Sequence, residues 1–533
     1  MRKIPAKTWL LAILSSGLLI LVFPPISLYF LSWVAIVPLL YALLRGRGGE
    51  GELVDSEGRS LRPFTLMQGF MIGWVSSLVW YIGTCYWLYI AMHGYGGLSG
   101  PVAALLTVLF CMIMALDHGV FGLLVVLMAR RSTLGNRGPL LMAPFFWAAT
   151  EFFHARVMGF AWNPLGGVQV DNIPFARIAN VTGVYGLSFA VVLVNSAFVA
   201  ALLLYKRRRI KLLISAVAAA VALQAGVFAK PDQFPADKKA ILVQGNIPLD
   251  VTWTEAYYQQ TLDALSQLST AAASGTVRGG PGLIIWPESP APFEAGEPRL
   301  ERTLAGIAQS TDSYLVVGAT AAAPAGPGQA RYFNSALVLD PSGRSLGRYD
   351  KIHLVPFGEY VPLRDLLFFA RNLTNQVGDF SRGTERKVFD LNGARAGVNI
   401  CYETVFPEDV REFVANGAQV LINISDDAWY GESGASPQQW QMARMRAIEN
   451  HRWVLVATNS GITGSIDPGG RIVARAERNV RLALTVPFSP LTEITIYTRY
   501  GDFFAWTCVV ISLIAVLVRW RIRAATMIEA PSA

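Results

Sequence analysis

Long apolar runs fill the first 230 residues and constrain the fold more than any other feature of this chain. A helical run of about 18 or more apolar residues can cross a bilayer. About eight stretches read this way, near 8–24, 26–44, 66–92, 101–129, 139–156, 183–205, 210–229 and 503–520. The fifth is the most polar, with Glu151 and His154 near its end. The first passes through Pro24 and Pro25 straight into the second, with no small-residue cleavage site, so it is expected to be a span and not a cleaved signal. Between 231 and 500 the chain reads as an ordinary soluble domain. This division explains why 533 residues are 53% hydrophobic and only 15% charged, where soluble proteins are about a quarter charged.

Charge predicts orientation. Arg2, Lys3 and Lys7 precede the first run, Arg45 and Arg47 follow the second, and Arg130, Arg131 and Arg137 follow the fourth. Lys206, Arg207, Arg208, Arg209 and Lys211 follow the sixth, and Arg519, Arg521 and Arg523 follow the last. Alternate connections are thus basic, while short ones between them, such as 93–100, are nearly uncharged. Basic connections stay in the cytoplasm. Both termini are therefore expected there, with 231–500 on the outer side, the periplasm of a bacterium with two membranes. Basic flanks of this kind also explain the net charge of +8 without a nucleic-acid partner.

Cys85, Cys111 and Cys508 lie in expected spans, so Cys401 is the one thiol of the outer domain. A lone thiol is a liability in an oxidising compartment. Either chemistry requires it, or it is a buried, inert residue. Around it, strands are expected at Ala240–Gln244, Leu283–Trp286, Tyr314–Gly318, Ser335–Leu339, Ala396–Cys401, Gln419–Ser425 and Val454–Asn459. They are apolar almost throughout, as strands buried on both faces are. Helical patterns at 254–272, 297–310, 407–416 and 437–450 alternate with them, which predicts a layered α/β domain. The small, Pro- and Gly-containing stretch 319–331 is expected to be a surface loop.

Three strand ends carry reactive groups. LIIWPES ends at Glu288, a carboxylate that either caps a helix or serves as a base. YDKIHLVPFGEYVP, residues 349–362, brings Lys351, His353 and Glu359 together. Lys351 and His353 are two apart and in a strand would face one side. GVNICYE delivers Cys401, followed by Tyr402 and Glu403. A thiol attacks at neutral pH only with a depressed pKa or a neighbouring base. Lys351 can supply the positive charge and Glu288 the base, or His353 can be the base. Spacing does not choose between these pairings. No cluster has metal-ligand spacing, and no glycine-rich phosphate loop is present.

The Glu of IIWPES, the Lys of DKIHLVPFGEY and the Cys of NICYE, in that order, resemble the catalytic triad of the nitrilase superfamily. QGNIP at 244–248 with Trp253, QMARMRAIEN, ATNSGITG and the arrangement of apolar runs resemble the apolipoprotein N-acyltransferase family. The resemblance covers nearly the whole chain. It implies a multi-pass α-helical membrane domain at 1–230, a nitrilase-like αββα sandwich at 231–495 and a C-terminal span and tail at 496–533. It also implies Cys401 as nucleophile, Glu288 as general base and Lys351 as oxyanion stabiliser, with Glu359, Tyr402, Glu403 and Trp253 near the substrates and neither cofactor nor metal.

The implied substrates are a phospholipid acyl donor such as phosphatidylethanolamine and a diacylglyceryl apolipoprotein acceptor, handled at the bilayer by a monomer. One departure stands out: Gln439 occupies a place where the family often has His, and it is read as peripheral. His353 is expected to be structural, and Arg444 and Arg446 to be ion-pair partners. The apolar stretch 363–372, with Leu366, Leu367, Phe368 and Phe369, is expected to be a membrane-touching arm or a buried helix. Two rival readings are a membrane-anchored amidase and a transporter or scaffold, the latter marked by Asp117 and His118.

Overall fold

The computed structural model describes residues 3–45, 53–54, 60–61, 63–130, 137–204, 208–230, 232–274, 282–326, 329–356, 358–360 and 380–528. The stretch 363–372 lies outside them. The described residues divide into two compact units. One comprises those of Met1–Tyr86, Ala104–Lys230 and Asp502–Ala533, and the other those of Trp87–Ala103 and Pro231–Gly501.

The first unit is helical: α1 (Ala6–Val22), α2 (Val37–Leu44), α3 (Leu66–Thr84), α4 (Gly100–Met114), α5 (Leu116–Ala129), α6 (Gly138–Phe153), α7 (Val184–Leu203), α8 (Arg209–Gln224) and a C-terminal helix, Phe503–Ile528. Among the described residues, five stretches are long and apolar enough to cross a membrane: Leu66–Thr84, Gly100–Ala129, Val184–Leu203, Arg209–Phe228 and Phe503–Arg521. Ala6–Val22 and Tyr29–Leu44 are apolar but shorter, and α6 carries Pro144 in its interior.

The run at 26–44 is not one helix, because a 3-10 turn (Tyr29–Trp33) precedes α2. Asn195 of α7 takes up the backbone groups this break frees. Its Oδ1 accepts from Ile36 N at 2.9 Å and its Nδ2 donates to Ser32 O at 2.8 Å. Helices α3 and α5 pack closely enough to require glycine: a Cβ on Gly122 would stand 2.4 Å from Gly69 O, and one on Gly73 2.0 Å from His118 O. Small residues let apolar helices approach backbone to backbone where no hydrophobic drive holds them.

The second unit is a four-layer αββα sandwich. Its strands are β1 (Lys238–Gln244), β2 (Gly282–Ile285), β3 (Ser313–Gly326), β4 (Gln329–Leu339), β5 (Ser345–Asp350), β6 (Val388–Asp390), β7 (Arg395–Ile400), β8 (Val420–Ser425), β9 (Trp453–Thr458), β10 (Gly464–Ile466), β11 (Ile472–Arg475) and β12 (Leu482–Phe488). One sheet has the order β12-β1-β2-β3-β4-β5 and the other β11-β10-β9-β8-β7-β6. The central strands are parallel, β1/β2/β3 in one sheet and β7/β8/β9 in the other, with antiparallel edges. Parallel strands covered on both faces need apolar residues at every position, and Val420–Ser425 and Trp453–Thr458 are buried throughout.

Helices α9 (Glu255–Ser274) and α10 (Pro298–Thr311) cover the first sheet, and α11 (Pro407–Ala415) and α12 (Ala435–Asn450) cover the second. Leu262, Leu265, Leu300, Leu304 and Ile307 pack on Ile241, Val243, Ile284 and Trp286. Ala240 and Leu242, pointing the other way, are equally buried. The described residues of the 319–331 stretch, 319–326 and 329–331, are not a loop but the ends of β3 and β4, paired from Ala319↔Ser335 to Ala323↔Arg331. Small side chains there conceal a regular backbone ladder.

Candidate active site

The nucleophile candidate sits where β7 ends. Cys401 adopts the left-handed region, φ 52°, and opens a 3-10 turn, Cys401–Val405. A non-glycine residue there costs on the order of 1–3 kcal/mol and persists only where its surroundings impose it. Three contacts do so. Asn423 Nδ2 donates to Cys401 O at 3.2 Å. Arg446 Nη1 donates to Val405 O at 3.0 Å, its guanidinium forked onto Glu449 at 2.7 and 2.9 Å with both side chains fully buried. Glu403 Oε2 accepts from Ile400 N at 2.8 Å.

Glu403 also reaches the lysine segment. Its Oε1 accepts from Ile352 N at 2.7 Å, His353 N at 3.0 Å and Tyr349 Oη at 2.8 Å. One buried carboxylate, whose pKa burial raises, therefore ties the cysteine turn to the lysine turn. This is also why Lys351 and His353 do not share a side as a continuous strand would have them. The strand stops at Asp350, and the next N–H groups turn toward Glu403. Lys351 is buried. His353 is half-buried, its Nδ1 2.7 Å from Asp409 Oδ2 and its ring stacked on Phe406 at 4.3 Å.

Lys351 Nζ donates to Glu288 Oε1 at 3.0 Å and to Glu359 Oε1 at 2.9 Å. Asn334 Nδ2 bridges the same two oxygens at 2.7 Å each. Glu288 Oε2 accepts from Asp426 N at 2.9 Å, and Glu359 Oε2 from Val355 N at 2.8 Å. Burial opposes the ammonium, but Glu288 and Glu359 outweigh it and hold the Lys351 pKa well above the usual lysine value. A fixed positive charge results. Asp426 is pushed up to about 8, chiefly by burial. It therefore keeps its proton at neutral pH, which spares the network a further negative charge.

Burial, then the Glu288 charge, push the Cys401 thiol well above its usual pKa, against the pull of Lys351. The resting group is the thiol. Moving its proton to Glu288 leaves the total charge of the site unchanged and removes the very repulsion that disfavours the thiolate. The arrangement can thus generate a nucleophile on demand beside a fixed cation, which is what acyl transfer through a thioester needs. Of the two sulfur–base pairings open in the sequence, the thiol is electrostatically coupled to Glu288, whereas the His353 ring is engaged by Asp409.

The remaining candidates are spread more widely. Tyr402 is buried and edge-on to Phe406 at 5.0 Å. Trp253 lies against Tyr257, with ring centroids 5.1 Å apart, and packs on the core formed by the first sheet with α9 and α10. Gln439 is buried and donates to Ser425 Oγ at 3.3 Å, at the end of the strand that pairs with the one delivering Cys401. It is less peripheral than its place in the sequence implies. Asn334 and Asp426 escaped the sequence reading. Their signal was a polar residue beginning or ending an apolar strand, in FNSALVL and LINISD.

The buried carboxylate, ammonium and thiol all lie in the αββα domain formed by the two sheets. Residues 239–488 match the family described as carbon-nitrogen hydrolase, and residues 15–197 match the apolipoprotein N-acyltransferase N-terminal domain. An apolipoprotein N-acyltransferase of Geobacter metallireducens is 34% identical, with 95% of this chain and 94% of that protein aligned. One of Methylococcus capsulatus is 35% identical over 78% of this chain and 81% of that protein. One of Pseudomonas aeruginosa is 31% identical over 94% of each. The chain belongs to the apolipoprotein N-acyltransferase family, acyltransferases of the final step of lipoprotein maturation.

Proposed function

We propose that this protein moves an acyl chain from a phospholipid to the N-terminal amine of a diacylglyceryl apolipoprotein, through a thioester on Cys401. The observation that carries the reading is the Glu288–Lys351–Glu359 network, buried and electrostatically joined to a thiol on a strained turn. In the first half-reaction Glu288 takes the Cys401 proton and Sγ bonds to the ester carbonyl carbon. Lys351 stabilises the oxyanion. The carbon–oxygen bond then breaks, and the lysophospholipid alkoxide leaves with the proton from Glu288. In the second half the α-amine attacks the thioester carbon and loses its proton to Glu288. The carbon–sulfur bond breaks, and that proton restores the thiol.

Glu359 holds Lys351 in place, and Glu403 holds the two turns together. Tyr402 and Trp253 line the way in for the lipid chains. Phosphatidylethanolamine is the expected donor, and a monomer is sufficient because every named group comes from one chain. Burial of each methylene is worth about 0.8 kcal/mol, so a site at the bilayer surface avoids exposing whole chains to water. The catalytic domain, 231–495, faces the periplasm of the inner membrane, with both termini cytoplasmic. The alternating basic connections support this orientation, as does the grouping of the short inter-helix segment Trp87–Ala103 with 231–501 in one unit.

The test is intact-mass spectrometry after incubation with phosphatidylethanolamine, beside Cys401→Ala. The parent alone is expected to gain one acyl chain and to lose it to a diacylglyceryl-cysteine peptide. In sealed spheroplasts, peptide added outside should still discharge it. An adduct released by water but not by the peptide would mean a lipid hydrolase. No adduct would overturn the thioester route.

A further inference from the structure

The mechanism above leaves open what aims the Asp426 N–H at Glu288. Asp426 lies just beyond β8 in one sheet and Glu288 just beyond β2 in the other, so their 2.9 Å bond passes between the sheets. The Asp426 side chain is itself held. Its Oδ1 accepts from Ala428 N at 3.1 Å and from Asn459 Nδ2 at 3.2 Å.

Asn459 stands directly after β9, and each of its polar groups is engaged. Its backbone N donates to Ser425 O at 3.0 Å, and its O accepts from Asn246 N at 2.7 Å. Its Oδ1 accepts from Ile247 N at 3.0 Å, while Nδ2 donates to Ile247 O at 2.8 Å. The side-chain amide thus pairs with both backbone groups of Ile247, as a neighbouring strand would, and gives its second N–H to Asp426. Asn246 and Ile247 follow β1, which belongs to the same sheet as β2 and leads on to Trp253. Asn246 adopts φ 47°, and its Nδ2 donates to Asn479 O at 2.8 Å. A closed circuit of strand ends results, from β1 through Asn459 and Asp426 to Glu288 and back into the first sheet.

Ile247, Glu288, Asp426 and Asn459 are all buried, so unmet polar groups here would have no water to turn to. Only a carboxamide of this length offers one acceptor and two donors at these positions. A carboxylate would lack the donors, and an alanine would leave the Ile247 N–H and C=O unpaired.

We propose that Asn459 is a positioning residue for the reaction: through Asp426 it keeps the N–H that holds Glu288 Oε2, and so fixes the base relative to Cys401. The proposal rests on Glu288 being the base of both half-reactions. Asn459 touches no reacting atom and transfers no proton.

The test is the time course of acylation by phosphatidylethanolamine, in the full-length protein in detergent, which separates rate constant from amplitude. In Asn459→Ala the rate constant at saturating lipid should fall about tenfold, with the amplitude and the half-saturating lipid concentration at parent values. Asp426→Ala should slow the step comparably. The double variant should be no slower than the slower single one, because both break one path. A merely structural Asn459 would lower the amplitude and leave the rate constant alone, and that result overturns the proposal. So do two effects that multiply in the double variant. Should Asn459→Ala fail to fold, Asn459→Asp carries the same expectation, since it keeps an acceptor for Ile247 N and loses both donated bonds. A parent that takes no acyl chain overturns the acyl-transfer reading instead. Iodoacetamide alkylation of Cys401 then decides the positioning role: a slower rate in Asn459→Ala upholds it, and an equal rate overturns it.

Discussion

Asp117 in the helical unit and Glu288 in the sandwich are both enclosed carboxylates with several hydrogen-bonding partners, yet they are held in different ways. Asp117 accepts from Ser77 Oγ at 3.0 Å and Tyr81 Oη at 3.2 Å, with His154 Nδ1 3.7 Å away. Ser77 and Tyr81 are one helical turn apart on α3. Helix packing alone puts them there. Glu288 draws on Asn334, Lys351 and Asp426, which lie 46, 63 and 138 residues away along the chain. No single element positions them, so the charges position one another. The first cluster is a by-product of helices in contact. The second exists only as a network, which is the condition for holding a carboxylate, an ammonium and a thiol in register.

The sharpest way to break this contrast is Lys351→Met. It leaves Glu288 and Glu359 facing each other with no cation between them. Removing one partner of a buried ion pair typically costs about 3–5 kcal/mol. Acyl-enzyme formation should vanish and the melting temperature in detergent should fall well below that of Cys401→Ala. Unchanged melting would mean the carboxylates do not depend on the lysine, and the network view would fail.

Glu403→Gln is a smaller perturbation of the same kind. The carboxylate accepts four donors on two oxygens. An amide offers one oxygen and turns its N–H₂ group toward the others. Bonds to a charged group are worth about 1.5–3 kcal/mol each, so acylation should slow by about tenfold to a hundredfold. The Cys401 adduct should still form at long times. A full-rate Glu403→Gln protein would show that the two turns hold their register without the clamp.

Much of this was legible in the sequence, for reasons that also mark where legibility stopped. Continuous Val, Ile and Leu runs located the central strands, and the reactive residues stood out because a charge at the end of such a run is rare. The sequence did not reveal Asn334, since an amide before an apolar strand has many uses. Nor did it reveal that Glu403 binds backbone N–H groups, which carry no residue identity. The alanines of 319–331 resembled a loop although they pair as strands. The break in 26–44 depends on Asn195, far away along the chain. In each case what decides the structure is a partner distant in sequence.

Asp117→Asn should have the smallest effect, and it tests the other half of the contrast. Asparagine keeps one acceptor oxygen for Ser77 or Tyr81, and a tyrosine hydroxyl can accept from its N–H₂ group. The two hydroxyls then meet a neutral amide in place of a carboxylate, a loss of about 1–2 kcal/mol. The flanking glycines still impose the same approach of α3 to α5, so the helices have no reason to repack. The melting temperature should drop slightly, and the rate of Cys401 acylation should match the parent. If acylation fell tenfold with melting unaltered, the helical cluster would be acting on the chemistry, and the division between a packing by-product and a reactive network would have to be abandoned.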